Sequence, residues 1–254
     1  MKWTELPAGR VQRAINTLLV AFDDKADRIV EQILSDEGVA TRVADLCLNK
    51  GYEPSTSQRR AREIMGQNCF GIEEAIRHFG VSPTKQQLAY LAEVPFSEET
   101  LVAVKDTHVL VAVFPLSILD VRGIAKKSAQ TLFYNQDWYD KQAFAKDKGE
   151  VGWHLVRKTP VANSTSNTWN EQQALLWKDE ETPTARIVVY TMIGHFLATG
   201  ERLFENIYVR CVDLGSDGRR VLVGRFHADG LDVSGYWDGH RVARIGVASA
   251  RKQQ

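Results

Sequence analysis

Histidines and cysteines are the side chains of this chain best suited to nucleophilic or metal chemistry, and there are six and three of them. His154 falls in GWHLVRKT and His195 in the apolar run VVYTMIGHFLAT. Two histidines four residues apart on a helix can share a zinc ion; His195 has no partner at that spacing. Both histidines therefore read as core residues rather than ligands. Cys47, Cys69 and Cys211 are odd in number and far apart. That pattern fits neither a disulfide framework nor a zinc site, and predicts buried, reduced thiols of a cytosolic protein. The run DLGSDG at 213–218 begins like a calcium loop but has no later bidentate Glu, so it reads as a turn. No GxxxxGK[ST] phosphate loop, no GxGxxG and no Gly-x-Ser-x-Gly elbow occurs. These observations predict no catalytic residue, no metal and no cofactor, and turn attention to binding.

The stretch with binding character is residues 224–252, GRFHADGLDVSGYWDGHRVARIGVASARK. Phe226, Gly230, Leu231, Val233, Trp237, Ile245, Gly246, Val247 and Ala248 read as scaffold. Between them stand side chains with no common chemistry. A strand that only packs repeats apolar and polar at period two; this one keeps turning on glycines and Asp-Gly pairs. Tyr, Ser, Gly and small polar groups on a rigid frame are also what antibody-type surfaces use, Tyr for contact area and Ser and Gly for adaptable hydrogen bonding.

With the preceding GERLFENIYVRCVDLGSDGRRVLVG, this stretch resembles the C-terminus of the variable proteins of diversity-generating retroelements. The resemblance covers roughly residue 94 to the end. It implies a C-type lectin fold of the kind shared with formylglycine-generating-enzyme-like domains. In that family, adenines of a template repeat are mutagenised and copied into the 3′ end of the variable gene, so AAY codons become many residue types but never a stop. The resemblance implies a diversified region at about 219–245. Its ligand-binding positions would be Arg219, Leu222, Arg225, His227, Asp229, Asp232, Ser234, Gly235, Tyr236, Gly239, His240, Val242, Ala243 and Arg244. The implied ligand is another protein, and no catalysis is implied. Sugar-binding C-type lectins hold calcium with Glu-Pro-Asn-type and Trp-Asn-Asp triplets; the first is absent here and Trp237-Asp238-Gly239 half matches the second, so no calcium is expected. Formylglycine-generating enzymes use a pair of cysteines, and Cys211 stands alone.

Such a surface needs elements to hold it. Hydrophobic residues make up 44% of the 254-residue chain and charged ones 25%, the balance of a soluble globular protein. Thirty-two basic and 32 acidic residues cancel, which argues against a non-specific nucleic-acid binder. The N-terminus MKWTELPAGR has no apolar h-region, and no run approaches the roughly 18 apolar residues of a spanning helix. A cytoplasmic protein is expected, with a non-classical route to the surface left open.

Residues 8–93 have helical periodicity, from Val11, Ile15, Leu18 and Leu19 onward to a stop at Gly51. The loop YEPSTSQ offers N-caps for a helix opened by the basic run 59–62, read as a solvated face. Residues 71–91 read as a helix-turn-helix, with Ser82 as N-cap and Pro83 at the first helical position. That motif keeps open a DNA-associated regulator with the C-terminal part as sensor, beside a plain helical hairpin. An enzyme of the formylglycine-generating type is a third alternative. After Pro95 the style changes. A capped helix at 96–104, a doubly buried strand over 108–118 ending or bulging at Pro115, and helices at 136–146, 169–178 and 184–199 are expected, with strands at 152–159, 207–211 and 221–226. The layout is α+β: a helical segment, 1–94, before a C-type lectin-like domain, 95–254. The resemblance further implies that the 108–114 strand lies beside the 246–250 strand.

Overall fold

The computed structural model describes residues 30–31, 55–128 and 130–253. The chain divides into two units, Met1–Glu53 and Pro54–Gln254. The helices expected up to Gly51, and Cys47, lie outside the described residues apart from Val30 and Glu31, which are helical.

The second unit is built from mixed helices and sheets. Its first elements are β1 (Thr56–Ser57), α1 (Gln58–Met65), β2 (Cys69–Phe70), α2 (Ile72–Phe79), α3 (Lys85–Tyr90), β3 (Glu93–Val94) and α4 (Glu98–Val104). Side-chain caps start them where the sequence offers oxygens. Ser57 accepts from the Arg60 amide and Ser97 from the Thr100 amide. The basic run of α1 is already neutralised: Arg59 and Arg60 pair with Glu63, Arg60 with Glu98, and Arg62 with Glu74 at 2.7 Å. In the helix-turn-helix region Gly80 takes the left-handed conformation that ends α2. The cap of α3 is Thr84, through a capping box with Gln87, and not Ser82; Pro83 therefore precedes the cap instead of opening the helix.

Then come β4 (His108–Val113), α5 (Ile118–Ala125), α6 (Ala143–Lys146), β5 (Gly152–Arg157), α7 (Trp169–Gln173), β6 (Glu180–Glu181), α8 (Ala185–Thr199), β7 (Tyr208–Leu214), β8 (Arg220–His227), β9 (Gly230–Tyr236), β10 (Ile245–Val247) and β11 (Ala250–Arg251). Every residue of β4 is buried, and the strand stops before Pro115. The expected continuation to 118 is instead a helix. Ser117 and Asp120 form a capping box that starts α5, with the Asp120 amide 3.1 Å from Ser117 Oγ. The helix expected at 136–146 is four residues long, because 138–141 form a turn. There the Trp138 indole donates to Val233 O at 2.8 Å, and Arg122 holds Gln136 O and Asp140. The helix expected at 169–178 stops at Gln173.

Helix α8 is apolar all round and buried from Ala185 to Phe196. Thr184 caps its start and Gly200, in the left-handed region at φ 78°, ends it. It lies between two sheets. One is five-stranded, ordered β2-β4-β5-β11-β6; the other is four-stranded, ordered β10-β7-β8-β9. On the first side α8 meets Phe70 of β2 at Gly194, and on the second Phe196 stacks against Phe226 of β8 with centroids 5.1 Å apart. The expected pairing of the 108–114 strand with the 246–250 strand is replaced: β5 stands between β4 and β11, and Gly246 pairs with Val209 of β7. The cause is that this terminal stretch serves both sheets, β10 in one and β11 in the other.

A helix-interior glycine replaced by alanine usually gains about 1 kcal/mol. At Gly194 a Cβ would stand 2.9–3.1 Å from the ring of Phe70, which is buried. Overpacking of that kind costs about 1–3 kcal/mol. Gly194→Ala should therefore lower the urea midpoint; a midpoint at or above wild type would remove this account of how α8 meets the sheet.

Candidate functional site

Alternation divides the four-stranded sheet into two faces. Val209, Cys211, Val221, Val223, Leu231 and Val233 join the core around α8. Tyr208, Arg210, Arg220, Leu222, Asp232, Ser234 and Tyr236 point the other way, in rows fixed by the register: Tyr208–Gly224–Asp232, Arg210–Leu222–Ser234 and Leu214–Arg220–Tyr236. Residues 237–244 and the 163–172 region close over part of this outward face.

Arg210 holds them there. Its side chain is fully buried, and none of its hydrogen-bond partners is a carboxylate. One terminal nitrogen donates to Asn167 O and Gln172 Oε1, both at 2.9 Å. The other donates to Trp237 O at 3.2 Å and His240 O at 2.8 Å. Burial lowers its pKa from the ordinary guanidinium value, and the charge of Asp238 opposes that. Gln172 completes the junction by donating to Ser164 O and Ile245 O. Further main-chain bonds secure the segment: Trp169 N to Asp238 O, Ser166 N to Val242 O and Tyr208 N to Arg244 O, at 2.9–3.0 Å. Two side chains of the segment also serve as anchors. Asp238 receives Arg220, which lies 3.9 Å above the Trp169 ring, and Arg241 pairs with Glu171.

The fourteen positions implied by the resemblance fall unevenly on this frame. Arg225, Asp229, Tyr236, Gly239, His240, Ala243 and Arg244 are exposed, and Arg219, His227, Asp232, Ser234, Gly235 and Val242 are half-buried. Leu222 is corrected: it is 2% exposed, beside Arg210 under the covering segments, and cannot meet a ligand. Trp237 is corrected in the opposite sense. Read as scaffold, it is 50% exposed, and only its carbonyl is engaged by Arg210. Arg225 sits on a bulge at φ 44°, its guanidinium over the Tyr208 ring. Tyr208 donates its hydroxyl to Asp232, so Asp232 is also partly structural. Tyr236 and His240 meet edge to face, centroids 5.4 Å apart. Arg210, Gln172 and Trp169 escape a reading of the sequence, since no local pattern marks them.

The groups suited to chemistry lie elsewhere. Cys211 is fully buried, and burial raises its thiol pKa well above the ordinary value; Cys69 is raised to about 11 by the same cause. A thiolate nucleophile is disfavoured at both. His195 bonds Glu201 at 2.8 Å, and Glu201 also binds Lys158 at 2.7 Å. Burial lowers the pKa of His195, and holds His108 and His154 down at about 4. Among the described residues no group of three His, Cys, Asp or Glu side chains could hold a metal ion, and no helix is long and apolar enough to cross a membrane. No protein-family model, curated protein or solved structure matches the chain.

Two outcomes are expected. Removing a buried donor leaves its neutral acceptors unpaired, at a cost of about 1–3 kcal/mol. Arg210→Met should accordingly destabilise the fold and speed amide exchange at 163–168 and 237–244 more than at β4; uniform exchange would deny Arg210 its local role. The histidines set the second. A histidine whose folded pKa is about 4 binds its proton more weakly than the unfolded chain, near 6.5. Stability is then full above about pH 6.5 and falls toward pH 4, by up to about 1.4 kcal/mol per pH unit per histidine. Urea midpoints between pH 4.5 and 7 should show this slope, reduced in His154→Gln; a flat profile would contradict the burial.

Proposed function

We propose that this chain is the ligand-binding variable protein of a diversity-generating retroelement, with a C-type lectin-like domain displaying interchangeable side chains to a protein ligand. The observation that carries this reading is the way residues 237–245 are held. Arg210, Trp169, Ser166, Tyr208 and Gln172 all grip carbonyl oxygens of that segment. Carbonyls are the same whatever the side chain, so the course of the segment does not depend on what Gly239, His240, Val242, Ala243 or Arg244 carry. The two residues anchored through side chains, Asp238 and Arg241, are outside the implied variable set. Exposed substitutions usually change stability by no more than about 0.5 kcal/mol, against about 3–5 for loss of a core aromatic such as Phe226.

The test is the gene's own neighbourhood. Sequencing the locus across a population should give a near-repeat of the codons for about 219–245, differing at adenines, beside a reverse-transcriptase gene. Substitutions should concentrate at positions such as Tyr236, His240 and Arg244 and spare Arg210 and Gln172. A locus without the repeat, or with changes spread evenly over the chain, would overturn the proposal.

A further inference from the structure

One face of the five-stranded sheet collects buried polar atoms that no described residue engages. Phe70 meets α8 and pairs with Val111, so His108 and Leu110, which alternate with Val111 along β4, point to the opposite side. His108 stands opposite Arg157, and Ser249 follows in the same row, its carbonyl accepting the Arg157 amide at 2.9 Å. The next row on that side is Leu110, Leu155, Arg251 and Glu180. Among the described residues ten buried side-chain nitrogen and oxygen atoms have no hydrogen-bond partner. Five of the ten belong to these two rows: His108 Nε2, Arg157 Nε, Ser249 Oγ, Arg251 Nε and Glu180 Oε1. His108, Ser249 and Glu180 are as deeply buried as the core. Polar groups taken out of water are costly when unpaired, so such a concentration on one face asks for a common partner.

The five atoms are of two kinds. The two Nε–H groups and the Ser249 hydroxyl donate. Glu180 Oε1 accepts, while Glu180 Oε2 already receives the Trp177 amide at 3.2 Å. His108 Nε2 also accepts, because Thr107 Oγ1 donates to Val104 O and so receives the His108 Nδ1 proton at 2.8 Å. The arginines keep their carboxylates, Arg251 with Asp179 and Arg157 with Glu180 at 3.7 Å, so positive charge is not in surplus. A matching ligand must be small, accept from the donors and offer protons to the acceptors. Sulfate and a carboxylate do only the first. Phosphate near neutral pH still carries protons as well as bare oxygens. We propose that His108, Arg157, Glu180, Ser249 and Arg251 bind one inorganic phosphate ion, its bare oxygens facing the two arginines and Ser249 and its hydroxyl groups donating to Glu180 Oε1 and His108 Nε2. Both guanidinium groups act on the imidazole and disfavour its protonation, which keeps Nε2 an acceptor. The side chains of Arg157 and Arg251 are 24% and 12% exposed, Arg251 lying over the ring of exposed Trp177, and the ion enters beside them.

The full chain, freed of phosphate by dialysis, is titrated calorimetrically at pH 6 with inorganic phosphate, sulfate and glycerol phosphate at matched ionic strength. Phosphate should bind one to one, raise the melting temperature and shift the His108 ring resonances. Sulfate should bind about tenfold more weakly or worse, since a buried carboxylate would then face an oxygen that has no proton to donate. Glu180→Gln, nearly the same shape, should weaken phosphate and let sulfate compete. Ser249→Ala removes a hydroxyl with no partner in the chain, so it should weaken phosphate and leave the melting temperature of the free protein unchanged. Failure of phosphate to bind would hand the five atoms to water and overturn the proposal. Sulfate binding as tightly as phosphate, or phosphate affinity that both variants leave within twofold, would overturn it too. Tighter binding of glycerol phosphate than of the free ion would overturn inorganic phosphate as the occupant, in favour of a phosphorylated ligand.

Discussion

A guanidinium carried out of water with no carboxylate among its hydrogen-bond partners is the constraint around which the outer half of this structure is arranged. Desolvating such an ion costs several kcal/mol even after relaxation. Arg210 offsets that cost with four hydrogen bonds, to Asn167 O, Gln172 Oε1, Trp237 O and His240 O. Hydrogen bonds to charged groups contribute about 1.5–3 kcal/mol each, so the balance is favourable only when most are made together. Two chain segments must therefore converge on β7 at once, and neither can leave without exposing the deficit. What this geometry provides is a grip on backbone.

Behind β7 the requirement is rigidity. Helix α8 has no solvent face and touches both sheets, with Gly194 against Phe70 on one side and Phe196 against Phe226 on the other. Close-packed interiors transmit displacement instead of absorbing it. The terminal stretch adds a second tie, since β10 continues the four-stranded sheet and β11 enters the five-stranded one within a few residues. The segment above Arg210 is thus bounded by β9 before it and β10 after it, both fixed to β7 or β8.

Local signals carry the elements, and distant contacts carry the site. Helix α8 is readable from Pro183, Thr184 and Gly200, and the end of β4 from Pro115, because caps and breakers act over a few residues. The box at Ser117 and Asp120 is equally local, but lies inside an apolar run that reads as strand. The stretch 136–146 has aromatic spacing suited to a helix, yet Trp138 and the carbonyl of Gln136 are taken by Val233 and Arg122. Arg210 shows the limit most clearly. In YVRCVDL the alternation correctly turns it away from the core, and an outward arginine on a strand reads as exposed. What buries it is the arrival of groups 27 to 43 residues away along the chain, Trp237 and His240 on the later side and Gln172 and Asn167 on the earlier. A local window of sequence does not reach that far.

The distinction between side-chain and main-chain anchoring has a consequence for which positions a protein of this design could vary. A position tolerates replacement when its side chain neither fills the core nor satisfies a buried partner. Tyr236, His240, Ala243 and Arg244 meet that condition. Leu222 fails it by packing, and Asp232 meets it less well, since Tyr208 would lose its acceptor. Asp238 and Arg241 fail it through their ion pairs. A surface limited in this way is narrower than the resemblance alone implies, and its open positions lie along the covering segment and the end of β9. They border Trp237, whose carbonyl is held by Arg210 while its ring is half exposed.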